Sequence, residues 1–210
     1  MTIGIVGSGL IGGVVGTLWA KAGHSVLFSS RHPETLDGLV AKVGPNARRG
    51  TVDEAIAFGE VVFLSIPYVA VEAFGKEHPL AGKVVLETGN PYPERDGAIG
   101  VEVRESKEGT GIYSAHWLPG ARLVRAFNTV RDDVLAKEAH RPDPMLGIPL
   151  AGDDAEALRI AARLVKDAGF DPVVVGPLAS AKSFDFGASV YDSNKSGPEV
   201  RAALGLPAGR

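Results

Sequence analysis

The 210-residue chain has no cysteine. That excludes a disulfide framework, a thiolate metal site and a cysteine nucleophile. Excess positive charge is also missing. Lys and Arg number 22 against 25 Asp and Glu, giving a net charge of −3 and a pI near 6.0. No basic surface is offered to nucleic acid or anionic lipid. No apolar run approaches a membrane span, and Met1-Thr2-Ile3-Gly4-Ile5-Val6 lacks the charged start and long apolar stretch of a signal peptide. The expectation is a soluble, cytoplasmic protein without a nucleic-acid or membrane partner. The five histidines (His24, His32, His78, His116, His140) include no close pair at metal-ligand spacing, and no G-x-S-x-G elbow occurs. What remains is an ordinary globular composition, 45% hydrophobic and 22% charged, with 27 Gly and 14 Pro often placed just after apolar runs.

Those runs are Ile3–Val6, Ser25–Phe28, Val61–Leu64, Lys83–Leu86, Leu123–Ala126 and Pro172–Val175. They are continuous, as strands buried on both faces are. Helical patterns lie between them at Leu10–Ala22, Glu34–Val43, Val52–Phe58, Val69–Phe74 and Ala155–Ala168. Thr51 with Glu54 reads as a capping box, Asp153 or Asp154 as an N-cap, and Gly23 and Gly169 as helix stops. This alternation predicts an α/β fold: a Rossmann-like, doubly wound, mostly parallel sheet with helices on both faces. The dinucleotide-binding core is expected over residues 1–150. Residues 151–210 should add a small C-terminal extension of strand and helices to the same body. Residues 90–111 read as a long polar loop.

Gly7-Ser8-Gly9-Leu10-Ile11-Gly12 is a G-x-G-x-x-G loop that follows one strand at once and opens a helix. Each glycine has a physical task. Gly7 makes the tight turn, Gly9 lets the backbone approach a pyrophosphate, and Gly12 lets helix and strand pack closely. The helix start supplies free N–H groups and the positive dipole end. About 20 residues on, an NAD-specific site carries a carboxylate for the ribose 2′-hydroxyl. Here the second strand ends in Ser29-Ser30-Arg31-His32, and no carboxylate occurs before Glu34. Ser30 and Arg31 therefore read as 2′-phosphate ligands and NADP selectors, with Ser29 or His32 as helpers. The competing reading makes Arg31 an exposed turn residue and Ser30 a cap.

Ligands in such sheets lie beyond the carboxyl ends of the strands. There the chain places Ser65-Ile66-Pro67, then Thr88 and Asn90, then Asn128. Singly these are turn residues; on one edge they suit a cofactor cleft. No Lys or His stands on that rim as an obvious general acid or base, and His116 reads as a packing or capping residue. The catalytic residues stay unassigned, with Asn128 as a candidate for positioning a ring.

These segments resemble the NADP oxidoreductases that depend on the deazaflavin coenzyme F420, a family similar to the cytosolic domain of membrane ferric reductases. The resemblance is carried by Ile5–Gly12, Ser29–Arg31, Leu64–Pro67, Arg125–Thr129, Leu150–Asp154 and Lys166–Pro172. It implies NADP(H) binding, with Ser30 and Arg31 on the 2′-phosphate and Ser65–Pro67 and Asn128 beside the nicotinamide. It also implies hydride transfer between NADPH and the deazaflavin F420; a flavin is the other candidate second substrate. The family ends in an apolar helical segment that helps form the second pocket, whereas residues 183–195 here are polar. Rival functions are reduction of a small carbonyl, quinone or metal chelate, and a non-catalytic NADP(H) sensor. A homodimer is one candidate assembly.

Overall fold

The computed structural model describes residues 1–208. Its elements, in chain order, are β1 (Thr2–Val6), α1 (Leu10–Lys21), β2 (Ser25–Ser29), α2 (Asp37–Val43), β3 (Ala47–Gly50), α3 (Val52–Phe58), β4 (Val61–Leu64), α4 (Val71–Glu77) and β5 (Val84–Glu87). Then come α5 (Pro93–Glu105), α6 (Thr110–Trp117), β6 (Arg122–Arg125), α7 (Asp132–Glu138), β7 (Gly147–Gly152), α8 (Ala155–Asp167), β8 (Asp171–Gly176) and α9 (Gly197–Ala203). Short 3-10 turns lie at Pro33–Leu36, Tyr68–Ala70 and Leu178–Phe184.

One eight-stranded sheet has the order β3-β2-β1-β4-β5-β6-β7-β8. All neighbours are parallel except β6 and β7. This is the expected doubly wound, mostly parallel α/β architecture. The chain reverses direction across the sheet between β1 and β4, where such folds open a crevice. Alternate residues of the continuous apolar strands feed two cores. Ile3, Ile5, Phe28, Phe63 and Leu86 pack on one face with Trp19 of α1. Val6, Val62, Leu64 and Val85 pack on the other. Trp19 meets the edge of Phe63 at 5.0 Å, and its indole N–H donates to the Leu164 carbonyl at 2.7 Å.

Helix ends follow local chemistry. Thr51 and Glu54 form the full capping box of α3. Asp154 accepts from the Ala157 N–H at the start of α8, and Gly169 follows that helix with φ +91°.

Several expectations need correction. Residues 90–111 are not a loop: they hold α5, broken at Gly97, and the start of α6. This stretch lacks an apolar stripe, since the buried positions of α5 are Asp96, Gly100 and Val103. β3 escapes the pattern because its Arg48 and Arg49 are exposed on an edge strand, and charge is how edges are kept from pairing. β7 escapes it because Pro149 sits inside a strand. It pairs with β6 through only Val124↔Gly152 and Arg125↔Ala151, so Pro149 stands beyond that ladder. Residue 150 falls inside β7, so the first 150 residues and the remainder share one strand and one sheet.

Candidate functional site

The loop between β1 and α1 shows three different reasons for glycine. Gly7 has φ +92°, and a Cβ there would run into the Ser65 carbonyl of the neighbouring strand end. A Cβ on Gly12 would collide with the Gly7 carbonyl and press on Ile5, so this position sets how closely α1 meets β1. A Cβ on Gly9 would meet nothing within 4 Å. Nothing in the protein requires glycine at position 9; the open space beside its backbone does. Gly9 is the N-cap of α1 without a side-chain cap, and the first turn carries no acid, so its N–H groups face that space unopposed.

Two hollows meet at Ser65, Ile66 and Pro67 and make one cleft along the carboxyl edge of the sheet. The loop-side hollow, about 670 Å³, is bordered by Gly7–Gly9, Ser29–Arg31 and Val52. The tail-side hollow, about 360 Å³, is bordered by Thr88, Asn90, Asn128, Tyr92 and Tyr191. Leu10 and Ile11 line it as well, from the first turn of α1.

The structure sorts the candidate residues. Arg31 is exposed at the loop-side hollow and has no ion-pair partner among the described residues. The Ser30 hydroxyl accepts from the His32 N–H at 3.0 Å, holding the turn while lining the hollow. Ser29 borders the hollow but turns its hydroxyl into the sheet. It is fully buried, and its hydroxyl donates to the Ile5 carbonyl at 2.7 Å inside the sheet. His32 lies 3.5 Å from Glu34 and is not in the lining. Ser8 donates to the Ser29 carbonyl at 3.0 Å, tying the glycine loop to the end of β2.

On the tail side, Thr88 and Asn90 serve the rim itself. Thr88 donates to the Phe127 carbonyl at 2.9 Å, and the Asn90 amide donates to the Asn128 carbonyl at 2.8 Å. Phe127 holds φ +58° two residues after β6, an uncommon backbone state for an aromatic residue and a mark of a constrained rim. Asn128 is 3% exposed; its Nδ2 donates to the Phe184 carbonyl at 3.2 Å, while its Oδ1 is buried without a partner. A buried acceptor left open in a cleft wall is a place for a ligand donor. His116 is exposed in the last turn of α6 and lines neither hollow.

Residues not foreseen for the site come from far apart in the chain. Fully buried Arg125, at the end of β6, donates to Glu87, to the Gly89 carbonyl at 2.6 Å and to Asp185 at 3.2 Å. Burial pushes the Glu87 carboxyl up, against the opposing pull of Arg125, the Gly89 N–H and Ser114. The polar tail is therefore held by polar partners. Asp185 meets Arg125, Phe184 meets Asn128, and the Asp192 N–H donates to the Thr129 carbonyl at 2.8 Å. Tyr191 and Asp192 then wall the tail-side hollow. Where the resemblance implied an apolar pocket segment, this chain has a hydrogen-bonded strap.

Among the described residues, no helix is long and apolar enough to cross a membrane, and no group of three or more His, Asp or Glu could hold a metal ion. The fold and the cleft are those of a Rossmann-type α/β protein. More narrowly, residues 2–91 match the sequence model of the family described as NADP oxidoreductase, coenzyme F420-dependent, so the resemblance carried by the glycine loop and the Ser29–Arg31 turn holds over that stretch. The chain is 27% identical to the metalloreductase STEAP3 of Rattus norvegicus over 87% of its own length and 35% of the relative's. It thus spans about a third of that relative. Among solved structures it is similar to a hypothetical protein from Sinorhizobium meliloti, with TM-score 0.78, 25% identity and coverage of 93% of this chain and 95% of that one. A reductive aminase from Aspergillus terreus, solved with NADPH, shares the fold at TM-score 0.62 and 21% identity, over 87% of this chain and 57% of the aminase.

Proposed function

We propose that the chain binds NADPH along the cleft and passes hydride to a flat, conjugated acceptor of the deazaflavin or flavin type. The observation that carries this reading is the open face of Gly9, a cradle that a Cβ would fill and no protein atom occupies. The free N–H groups of α1 would hold the pyrophosphate. Ser30 and Arg31 would hold the 2′-phosphate, because a guanidinium free of carboxylates suits a phosphate dianion. Ser65–Pro67 would border the ring's approach, and the open Oδ1 of Asn128 would accept from the carboxamide. NADPH supplies the hydride; the residues contribute orientation and exclusion of water, worth several kcal/mol of barrier.

An acceptor with its own charge sink asks least of this rim, which favours deazaflavins, flavins and quinones over simple ketones. The metalloreductase name of the rat relative adds a metal chelate to the acceptors worth including. The test is calorimetry with NADPH and NADH, followed by stopped-flow oxidation of C4-deuterated NADPH with F420, FMN, menadione and a ferric chelate. Tighter NADPH binding and a primary isotope effect with one acceptor are expected. NADPH binding with no oxidation by any acceptor would instead make the protein an NADP(H) sensor.

A further inference from the structure

Tyr92 directly precedes α5 and Tyr191 lies in the tail, 99 residues on, yet their hydroxyl oxygens are 2.6 Å apart in the wall of the tail-side hollow. Each phenol owns one hydrogen, and their mutual bond uses only one of the two. Neither hydroxyl has another partner among the described residues. One O–H is therefore left over, beside a cavity that the cofactor reading assigns to the reacting ring.

The surroundings suit a phenol that parts with a proton briefly. The Arg95 guanidinium carbon lies 4.9 Å from the centre of the Tyr92 ring. Phe186 packs on Tyr191 at 4.9 Å and on Tyr92 at 5.6 Å, and Arg104 lies over Phe186 at 3.9 Å. Two cations thus flank the pair and favour a transient phenolate. Three carboxylates act against them: Asp96, which holds Arg95, Asp192 next to Tyr191, and Asp132 across the hollow, where Arg131 also lies. Burial and the bond to Tyr92 push the Tyr191 phenol up, so Tyr191 holds its proton at neutral pH.

We infer that Tyr191, reloaded by Tyr92, gives the acceptor its proton. The inference rests on the reading that NADPH binds the cleft and supplies the two electrons as hydride. It narrows the acceptor to a conjugated C=O or C=N compound that takes the hydride at one atom and the proton at an oxygen or nitrogen. The Tyr191 O–H bond breaks as the acceptor's O–H or N–H bond forms, and the bonding pair stays on the phenolate oxygen. The Tyr92 proton then crosses the 2.6 Å bond, and solvent water restores Tyr92. No oxidant beyond the acceptor is needed.

The experiment compares wild type, Tyr191→Phe and Tyr92→Phe, using menadione as the probe. Calorimetry should give NADPH affinities within about twofold of one another, since neither phenol touches the phosphate loop. In protein labelled with [4-13C]tyrosine, the Tyr191 signal should move on Tyr92→Phe substitution, and again when NADP+ and menadione are added together. NADPH oxidation by menadione should fall about 100-fold in Tyr191→Phe, the lower end of general-acid contributions, and about tenfold in Tyr92→Phe. The wild type should show a solvent deuterium isotope effect that Tyr191→Phe removes. A purely structural staple would weaken NADPH and menadione binding together and show no such isotope effect, which overturns the inference. Turnover of Tyr191→Phe within threefold of wild type overturns it too, as does NADPH binding without menadione reduction or signal movement. Failure of wild type to bind NADPH at all would instead defeat the cofactor reading.

Discussion

Arg125 and Asp185 are sixty residues apart in the chain, yet Nη2 of one donates to Oδ1 of the other at 3.2 Å, beneath the cleft. The contact explains how a polar tail can form a cavity wall. A buried guanidinium needs partners for its N–H groups, and Glu87 and the Gly89 carbonyl leave part of it unserved. Asp185 serves Nη2, leaving Nε as the guanidinium's one buried N–H without a partner among the described residues, and it also accepts from the Thr110 N–H at 2.9 Å. Asp185→Ala should cost about 2–3 kcal/mol of stability, below the usual cost of breaking a buried pair because Glu87 stays in place. Urea denaturation measures the loss. Amide exchange should quicken over residues 184–192; exchange unchanged there would show that the strap does not depend on this ion pair.

The glycine loop yields a contrast between two positions. Gly9→Val should leave a folded protein that no longer binds NADPH, because its side chain enters empty space that the pyrophosphate would need. Gly12→Ala should instead destabilise the fold, because its methyl group meets the Gly7 carbonyl. Calorimetry and thermal melts on both variants separate the two roles. A folded Gly9→Val protein with wild-type NADPH affinity would refute the loop assignment.

Among the described residues Arg31 has no ion-pair partner to lose, so Arg31→Ala should leave stability unchanged. It should weaken NADPH ten- to a hundredfold, from about 1.5–3 kcal/mol for a charged hydrogen bond, and leave NADH affinity as it was. Equal wild-type affinities for NADH and NADPH would overturn the assignment of Ser30 and Arg31.

Asp154 supplies a pH test of the fold. Its carboxylate takes the Arg122 guanidinium at 3.0 and 2.7 Å and the Ala157 N–H at 2.7 Å. Arg122 first, and the helix N–H second, hold its pKa down to about 2. A depressed carboxyl stabilises the fold above its unfolded pKa, and that contribution fades as pH falls through the folded value. The Asp154 contribution should therefore be intact at pH 6 and fade between about pH 4 and pH 2. Asp154→Asn should be less stable than wild type at pH 6, and the gap should narrow toward pH 2. Urea midpoints at pH 6, 4 and 3 check this.

Much of the architecture could be read because its signals are local. β1, the glycine loop, α1, α3 and β4 each carry their evidence within a dozen residues: an apolar run, a turn, a cap. The end of β2 was readable by the same logic, since a strand end without a carboxylate differs chemically from one that has it. The tail-side wall was not, because its meaning lies in partners far along the chain. Arg125 looks like a charged residue in an apolar run until Glu87 and Asp185 surround it. Tyr92 and Tyr191 look like ordinary tyrosines until the fold brings their hydroxyls together. β3 and β7 hid for the converse reason: neighbouring strands and helices supply the burial that their own arginines, glycines and proline do not announce.

Asn128 joins the rim to the tail, and its two amide atoms make separable predictions. Nδ2 holds the tail through the Phe184 carbonyl, while Oδ1 is the buried acceptor with no partner. Asn128→Ala removes both, so it should loosen the tail and lose the contact to the nicotinamide side. The residues proposed for the pyrophosphate and the 2′-phosphate line the other hollow and are left intact. NADPH affinity should fall by severalfold at most, whereas turnover with the working acceptor should fall by one to two powers of ten, about 1.4–2.7 kcal/mol. Asn128→Asp separates the atoms. It keeps an oxygen in place of Oδ1 but sets a carboxylate oxygen against the Phe184 carbonyl, so its tail should loosen at neutral pH and tighten as acid protonates the side chain. If Asn128→Ala lowers affinity and turnover by the same factor, Asn128 acts in binding alone, and ring positioning belongs to other residues of the rim.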